Sequence, residues 1–335
     1  MGKHTLTDYF RYVDKRIADQ REEGMTSFKI SVAGQIIEQR FTLKAHAESV
    51  MKYMVGILAD ENAEPDAVFY YWTEDIKVYE PPQASSETAV WQSKDETGYI
   101  RVTPGYGMVG VDYTRNTYYF CREPKSNPES MLYGHAMIVA FGQWAKHNGL
   151  MLLHSACVGV DGKGVLLSAR GGGGKSTLAV SCLLGGFDFV ADDYVLVNSE
   201  GPLKALPLYR TVSLNQDMSA LLKPGMDIVR VDHDRNDKLM LDASGYSYAN
   251  ELPVNAIICP RVSDIGEPEI RKTSPGPVLV KLIDSTASQL GVFRDPEPYR
   301  IMSRRLIGIP VYEILLSRDL EKNREALRKF ISEEL

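Results

Sequence analysis

The sequence predicts an α/β unit built around a glycine-rich loop, preceded by a separate α+β unit. Three observations carry this reading. An apolar strand, a run of four glycines and an apolar helix follow one another between Gly164 and Leu184. The first 148 residues are rich in short alternating strands. Near residue 148 the pattern changes to short apolar strands alternating with Gly-rich turns and helices. We therefore divide the chain into residues 1–148 and 149–335.

In the first part, Ser27 to Phe41 alternate apolar and polar residues and read as two strands paired around Ala33-Gly34. Leu43 to Leu58 carry apolar residues at helical spacing. Ala67 to Tyr79, Thr97 to Thr103, Gly107 to Asp112 and Thr114 to Cys121 read as strands, rich in Val, Ile, Tyr and Phe. Glu80 to Glu87, with Pro81-Pro82, reads as an exposed loop. One long helix closes the unit, with Asn127 as cap, Pro128 at its first position, an Ile138, Phe141 and Trp144 stripe, and Gly149 as its stop. At the far end the chain reads as a strand, Val311 to Leu316, and an amphipathic helix from about Asp319 to Glu334.

Composition bounds the function. The chain has 335 residues, 44% apolar, which suffices for two cores at roughly 100–200 residues per domain. Lys and Arg number 38 against 44 Asp and Glu, and the net charge of −6 argues against nucleic acid or an anionic membrane as the main partner. No apolar stretch approaches the roughly 20 residues that span a bilayer. Met1-Gly2-Lys3-His4 leads into no hydrophobic signal region, so the expected home is cytoplasmic. Cys121, Cys157, Cys182 and Cys259 form no C-x-x-C pair and lie among apolar neighbours, the pattern of reduced core thiols.

Chemistry concentrates between residues 154 and 193. Gly164 to Ala169 read as a strand, Arg170 to Gly174 as a loop almost without side chains, and Lys175 to Leu184 as a helix ended by Gly185-Gly186. That is a Walker A-type phosphate cradle, nearly G-x-x-x-x-G-K-[S/T], with Ala169 where the first glycine belongs. The glycines let backbone N–H groups approach phosphate oxygens, and the helix N-terminus adds its partial positive charge. Lys175 can reach the β and γ phosphates, and Ser176 can ligate magnesium. The candidate ATP-binding residues are Arg170, Gly171, Gly172, Gly173, Gly174, Lys175, Ser176 and Thr177. Arg170 can cover a phosphate edge or equally point to water.

Phe187 to Val197 read as one strand with Asp192-Asp193 in its middle. Adjacent carboxylates in an apolar strand are costly unless they bind a metal, a hydroxyl or a cation. One can face the phosphate site while the other braces a neighbour; otherwise the pair begins a surface turn. Leu152-Leu153-His154-Ser155-Ala156 places a lone histidine in an apolar stretch, where a core histidine bonded to backbone is the plain alternative. Of the basic residues Arg210, Lys238 and Arg261, Lys238 and Arg261 are carried as candidates for a cation at the transferring group, with a solvated surface charge as the plain alternative for each.

His154, the loop ending Gly174-Lys175-Ser176, and Gly186-Phe187-Asp188-Phe189-Val190-Ala191-Asp192-Asp193 together resemble the HPr kinase/phosphorylase family and its relatives, which include kinases of lasso-peptide precursors. The match covers about 45 residues, His154 to Asp193 with their flanks. It implies a P-loop catalytic domain of the HPr kinase/PEP carboxykinase-like fold and use of ATP and Mg2+. By resemblance Asp192 is the general base, Asp193 pairs with His154 or binds magnesium with Ser176, and His154 tunes or relays the proton. The bifunctional enzymes carry Glu directly after Lys-Ser where this chain has Thr177, and their R-G-x-G signature does not follow the paired Asp. The resemblance therefore extends to the kinase module, with the N-terminal unit as a substrate-selecting or accessory domain. Bifunctional members form rings, so it admits a homo-oligomer. The expected function is a serine kinase acting on a peptide or small protein. A small-molecule kinase and a non-catalytic nucleotide-binding sensor are the alternatives.

Overall fold

The computed structural model describes residues 6–20, 24–76, 91–103, 107–125, 135–169, 171–232, 237–290 and 297–335. The fold is mixed α/β with several sheets. The chain forms two compact units, Met1–His147 and Asn148–Leu335.

The first unit is built on a sheet of seven strands, β1 (Thr26–Val32), β2 (Gln35–Phe41), β3 (Ala67–Thr73), β4 (Trp91–Asp95), β5 (Gly98–Thr103), β6 (Gly107–Asp112) and β7 (Thr117–Arg122), in the order β1-β2-β3-β7-β6-β5-β4. β1 and β2 pair through a two-residue turn in which Ala33 and Gly34 both have positive φ, the turn whose twist suits a hairpin. The helix α1 (Leu6–Asp19), absent from the sequence reading, lays Leu6, Phe10, Val13 and Ile17 against the sheet. Gly110 makes room for it, since a Cβ there would lie 2.7 Å from the Phe10 ring.

Two expectations are corrected here. Of the helix expected over Leu43 to Leu58, only α2 (Lys44–Met51) forms, with a separate single turn at Val55–Ile57. The long helix is also shorter than expected: α3 runs Ile138–His147, and Met137 at φ 63° cannot belong to a right-handed helix. Asn127, Pro128 and the loop at Glu80 to Glu87 lie outside the described residues.

The second unit holds a curled sheet of β8 (Leu150–Leu153), β9 (Ala156–Val160), β10 (Lys163–Leu167), β11 (Asp188–Ala191), β12 (Val195–Asn198), β13 (Lys204–Pro207), β17 (Leu252–Val262), β18 (Glu269–Lys272) and β19 (Val311–Leu316). A small antiparallel sheet of β14 (Thr211–Leu214), β15 (Asp227–Asp232) and β16 (Lys238–Asp242) adjoins it in the fold order β14-β16-β15. The helices are α4 (Lys175–Leu184), α5 (Pro275–Leu290), α6 (Glu297–Leu306) and α7 (Leu320–Glu334), the last capped by the Asp319 carboxylate.

β10, β17 and β19 run parallel in the larger sheet, and Val165–Leu167 of β10 and Ala256–Ile258 of β17 are buried on both faces as unbroken apolar runs. Val165, Leu167 and Ile258 pack under α4 and α7 with Leu178, Leu327 and Ile331. Leu166 and Ile257, one position along, face the other way onto Leu279, Leu282, Met302 and Leu306 of α5 and α6. The four cysteines are free thiols, and burial pushes those of Cys157 and Cys182 far above their ordinary range. No helix among the described residues is long and apolar enough to cross a membrane.

Candidate active site

The site begins with a break in a two-stranded ribbon. β8 pairs with β12 up to Leu153↔Val195, and β9 pairs with β11 from Cys157↔Ala191. Three residues intervene on each strand, 154–156 on one and 192–194 on the other, so the register is the same on both sides of the break. β8 and β12 lie at one end of the strand order and β11 at the other. The chain covers Ala191 to Val195 in at most about 14 Å, so the sheet must curl to bring its ends together there.

His154 and Asp192-Asp193 therefore sit side by side at the seam although His154 and Asp192 are 38 positions apart in sequence. This corrects the single strand expected over Phe187 to Val197. Asp193 has φ 60°, which ends the extended backbone, and the two carboxylates are drawn inward rather than presented on a surface turn. Asp192 is 1% exposed and Asp193 8%.

The glycine loop follows β10. Gly172 and Gly174 have φ of 81° and 89°, left-handed values that side chains rarely adopt, and Gly174 is the N-cap of α4. A Cβ on Gly174 would also lie 2.8 Å from Leu316 Cδ1. Gly171 and Gly172 are exposed, Gly173 and Thr177 half-buried, and Arg170 lies outside the described residues. α4 starts at Lys175, as the sequence reading has it, because the backbone leaves the left-handed region there.

Lys175 joins loop and seam. Its ammonium lies 2.5 Å from Asp193 Oδ1 and 3.5 Å from Asp192 Oδ1. Asp193 Oδ1 also takes a 3.4 Å contact from the Ser176 hydroxyl and lies 3.8 Å from His154 Nε2, while its Oδ2 accepts from Lys238 Nζ at 3.2 Å. Asp192 Oδ2 accepts the backbone N–H of Ser213, on β14, at 3.0 Å. Two carboxylates and two ammonium groups thus balance in a buried cluster, the condition under which such charges are tolerated. Burial pulls the Lys175 ammonium down, but the two carboxylates outweigh it and hold its pKa above the ordinary lysine value. Burial also holds the His154 imidazole below its ordinary value, against the pull of the Asp193 carboxylate and with help from Lys175 and Lys238.

The other candidates divide. Lys238 joins the cluster. Arg261 does not: it shares Glu313 with Arg271 in an exposed ion-pair group, at 3.2 Å. Arg210 stacks on the Tyr248 ring at 4.3 Å, and its Nη1 is buried without a hydrogen-bond partner among the described residues. Three contributors went unread in the sequence. Ser213 offers only its backbone N–H, which no side-chain signal marks. Ser285 and Thr286, on α5, contact His154 from more than 130 positions away.

No protein-family model and no curated protein matches this chain. Among solved structures the chain is similar to the HPr(Ser) kinase/phosphatase from Coxiella burnetii, at 14% identity, over 54% of this chain and 94% of that one, with a TM-score of 0.29. A likeness of that size carries no functional argument by itself, and the chemistry is read from Lys175, Ser176, His154, Asp192, Asp193 and Lys238.

Proposed function

We propose that this protein is an ATP- and magnesium-dependent phosphotransferase that modifies a hydroxyl, a serine of a peptide or small protein, on a fold of the HPr kinase/PEP carboxykinase type. The observation that carries the proposal is the convergence of Asp192 and Asp193 on Lys175 at the mouth of a glycine loop. A protein that only binds nucleotide has no use for a second buried carboxylate beside the phosphate-reaching lysine, whereas phosphoryl transfer needs positioning, charge neutralisation and one proton acceptor.

The residues fit a magnesium ion of the kind shared with phosphate. Ser176 Oγ and Asp193 Oδ1 are hard oxygen donors 3.4 Å apart, and Mg2+ is ordinarily held by one or two protein oxygens with phosphate and water supplying the rest. Bound there, magnesium would neutralise charge on the β and γ oxygens.

The chain's own residues then have separable tasks. The amides of Gly171 to Gly174 hold the phosphates, and Lys175 exchanges its carboxylate partners for phosphate oxygens, one anion for another. That exchange uncovers Asp192 Oδ1, while the Ser213 N–H keeps Oδ2 and so fixes the rotamer. The acceptor oxygen attacks the γ phosphorus, the bond to the β,γ-bridging oxygen breaks, and ADP leaves with the electron pair. The acceptor's proton passes to Asp192. Lys238 holds Asp193 in place, and residues 1–148 select the acceptor.

The test is transfer of label from γ-labelled ATP with magnesium to peptide and protein fractions of the source cell. Label on a serine, lost in Asp192→Asn while ATP still binds, is the expected result. ATP binding without transfer to any fraction would overturn the reading in favour of a sensor. One observation favours a metabolite acceptor instead. Among the described residues the buried Nη1 of Arg210 has no hydrogen-bond partner, and Arg210 stands three residues before Ser213, which suits it to an anionic small molecule. Label confined to a metabolite, and reduced by Arg210→Ala, would select that reading.

A further inference from the structure

The role of His154 depends on which of its two ring nitrogens carries the proton, and α5 bears on that choice. Two consecutive residues of this helix engage the histidine. Thr286, nearly fully buried, accepts the His154 backbone N–H at 3.0 Å and donates its own hydroxyl to the Leu282 carbonyl of its helix at 2.8 Å. Ser285 lies 2.5 Å from the ring itself, at Nδ1. The opposite nitrogen, Nε2, faces Asp193 Oδ1 at 3.8 Å, and the ring also lies against Tyr194 at 5.3 Å between centroids.

We propose that Ser285 is a positioning residue: its hydroxyl donates to His154 Nδ1 and holds the ring proton on Nε2, facing Asp193. The argument is one of complementary donors and acceptors. A carboxylate can only accept, so the proton of a neutral imidazole facing Asp193 belongs on Nε2. Nδ1 is then a lone pair enclosed by α5, and it needs a donor. Thr286 cannot supply one, because its hydroxyl is committed to Leu282. Ser285 can, and its hydrogen gains a better acceptor in the ring nitrogen than in the helix carbonyl behind it, which already has a backbone partner. The ring thus has a serine hydroxyl at 2.5 Å on its Nδ1 side and a carboxylate at 3.8 Å on its Nε2 side, and this pairing of donor and acceptor selects the tautomer. This inference rests on the proposed phosphotransfer only for its consequence in catalysis. The tautomer itself is a property of the protein alone.

The experiment is 15N spectroscopy of the full-length protein labelled at histidine, with the His154 signals assigned by their loss in His154→Gln. In the wild type Nδ1 is expected in the unprotonated range and Nε2 in the protonated range. Ser285→Ala, which puts a good helix former into α5, is expected to move both signals toward a mixture of tautomers. Ser285→Thr, which keeps the hydroxyl, is expected to restore the wild-type pattern. Where transfer is measured, Ser285→Ala is expected to lower kcat about ten- to a hundredfold with the KM for ATP unchanged, the usual size of a lost orienting partner, and Ser285→Thr to recover it. A wild-type ring protonated on Nδ1, or unchanged signals in Ser285→Ala, would overturn the proposal. If no transfer is found, the phosphotransferase reading fails while the ring signals still decide the role of Ser285.

Discussion

The glycine loop and the charged seam meet at Lys175 but are built on opposite principles. The loop works through backbone: its glycines are exposed or half-buried, φ constrains Gly172 and Gly174, and all of its residues are neighbours in sequence. The seam works through side chains. His154, the Asp192-Asp193 pair, Lys238 and the Ser213 amide arrive from separate parts of the chain, and each is held by a partner of opposite charge or complementary donor character. An anion site can be solvated and local, whereas a proton-transfer site must be enclosed, and enclosure requires distant parts of the chain.

If the seam handles the proton, its removal acts on rate. Asp192→Asn is expected to lower kcat by about 10²- to 10⁴-fold, the range for a general base, with ATP affinity nearly unchanged in calorimetry. Retained transfer would assign the base elsewhere, with Asp193 as the next carboxylate. Lys175→Ala strikes both regions. It leaves the buried Asp192 without its cation and Asp193 with Lys238 alone, and loss of one partner of such a cluster costs about 3–5 kcal/mol, measured as a lower urea midpoint.

The loop answers to backbone instead. Gly174→Ala is expected to cost about 1–2 kcal/mol, because φ is 89° and L residues resist that region. Gly171→Ala, with nothing within 4 Å of its Cβ and no left-handed φ, is expected to leave folding unchanged. Equal effects of the two would remove the conformational argument.

Of the two regions, acid should act on the seam. Burial holds His154 below its ordinary value of 6.5, so the unfolded chain takes up that proton more readily than the folded one. The stability from the neutral ring is complete above pH 6.5 and is lost as pH falls below it. His154→Gln is expected to lose less stability than the wild type between neutral pH and mild acid, followed by urea unfolding. The smallest effect falls outside both regions: Arg261→Ala breaks an exposed pair and should change stability by less than about 0.5 kcal/mol and leave transfer intact.

The same contrast explains what was legible in the sequence. The loop and the α4 start at Lys175 follow from adjacent residues, and the β1–β2 hairpin follows from alternation and Ala33-Gly34. Asp192-Asp193 could be singled out as costly charge in an apolar run, but not the break that carries them, since it depends on how the sheet curls to meet itself. Lys238 and Arg261 look alike in sequence, each a cation beside an apolar run. Only the pairing of β16 with β14 brings one to Asp193, and only the pairing of β17 with β19 commits the other to Glu313. Ser285 and Thr286 lie on a helix whose contact with His154 is a product of the tertiary fold, and no local pattern announces it.

The most direct test is a calorimetric titration of ATP with magnesium into the wild type and into Lys175→Ala. If Lys175 passes from the carboxylates of the seam to the phosphates in the loop, the wild type binds and the variant loses at least about tenfold in affinity, equal to about 1.4 kcal/mol. Equal affinity in the two proteins, or no binding by the wild type, would contradict the assignment of this loop as a phosphate cradle and the function proposed from it.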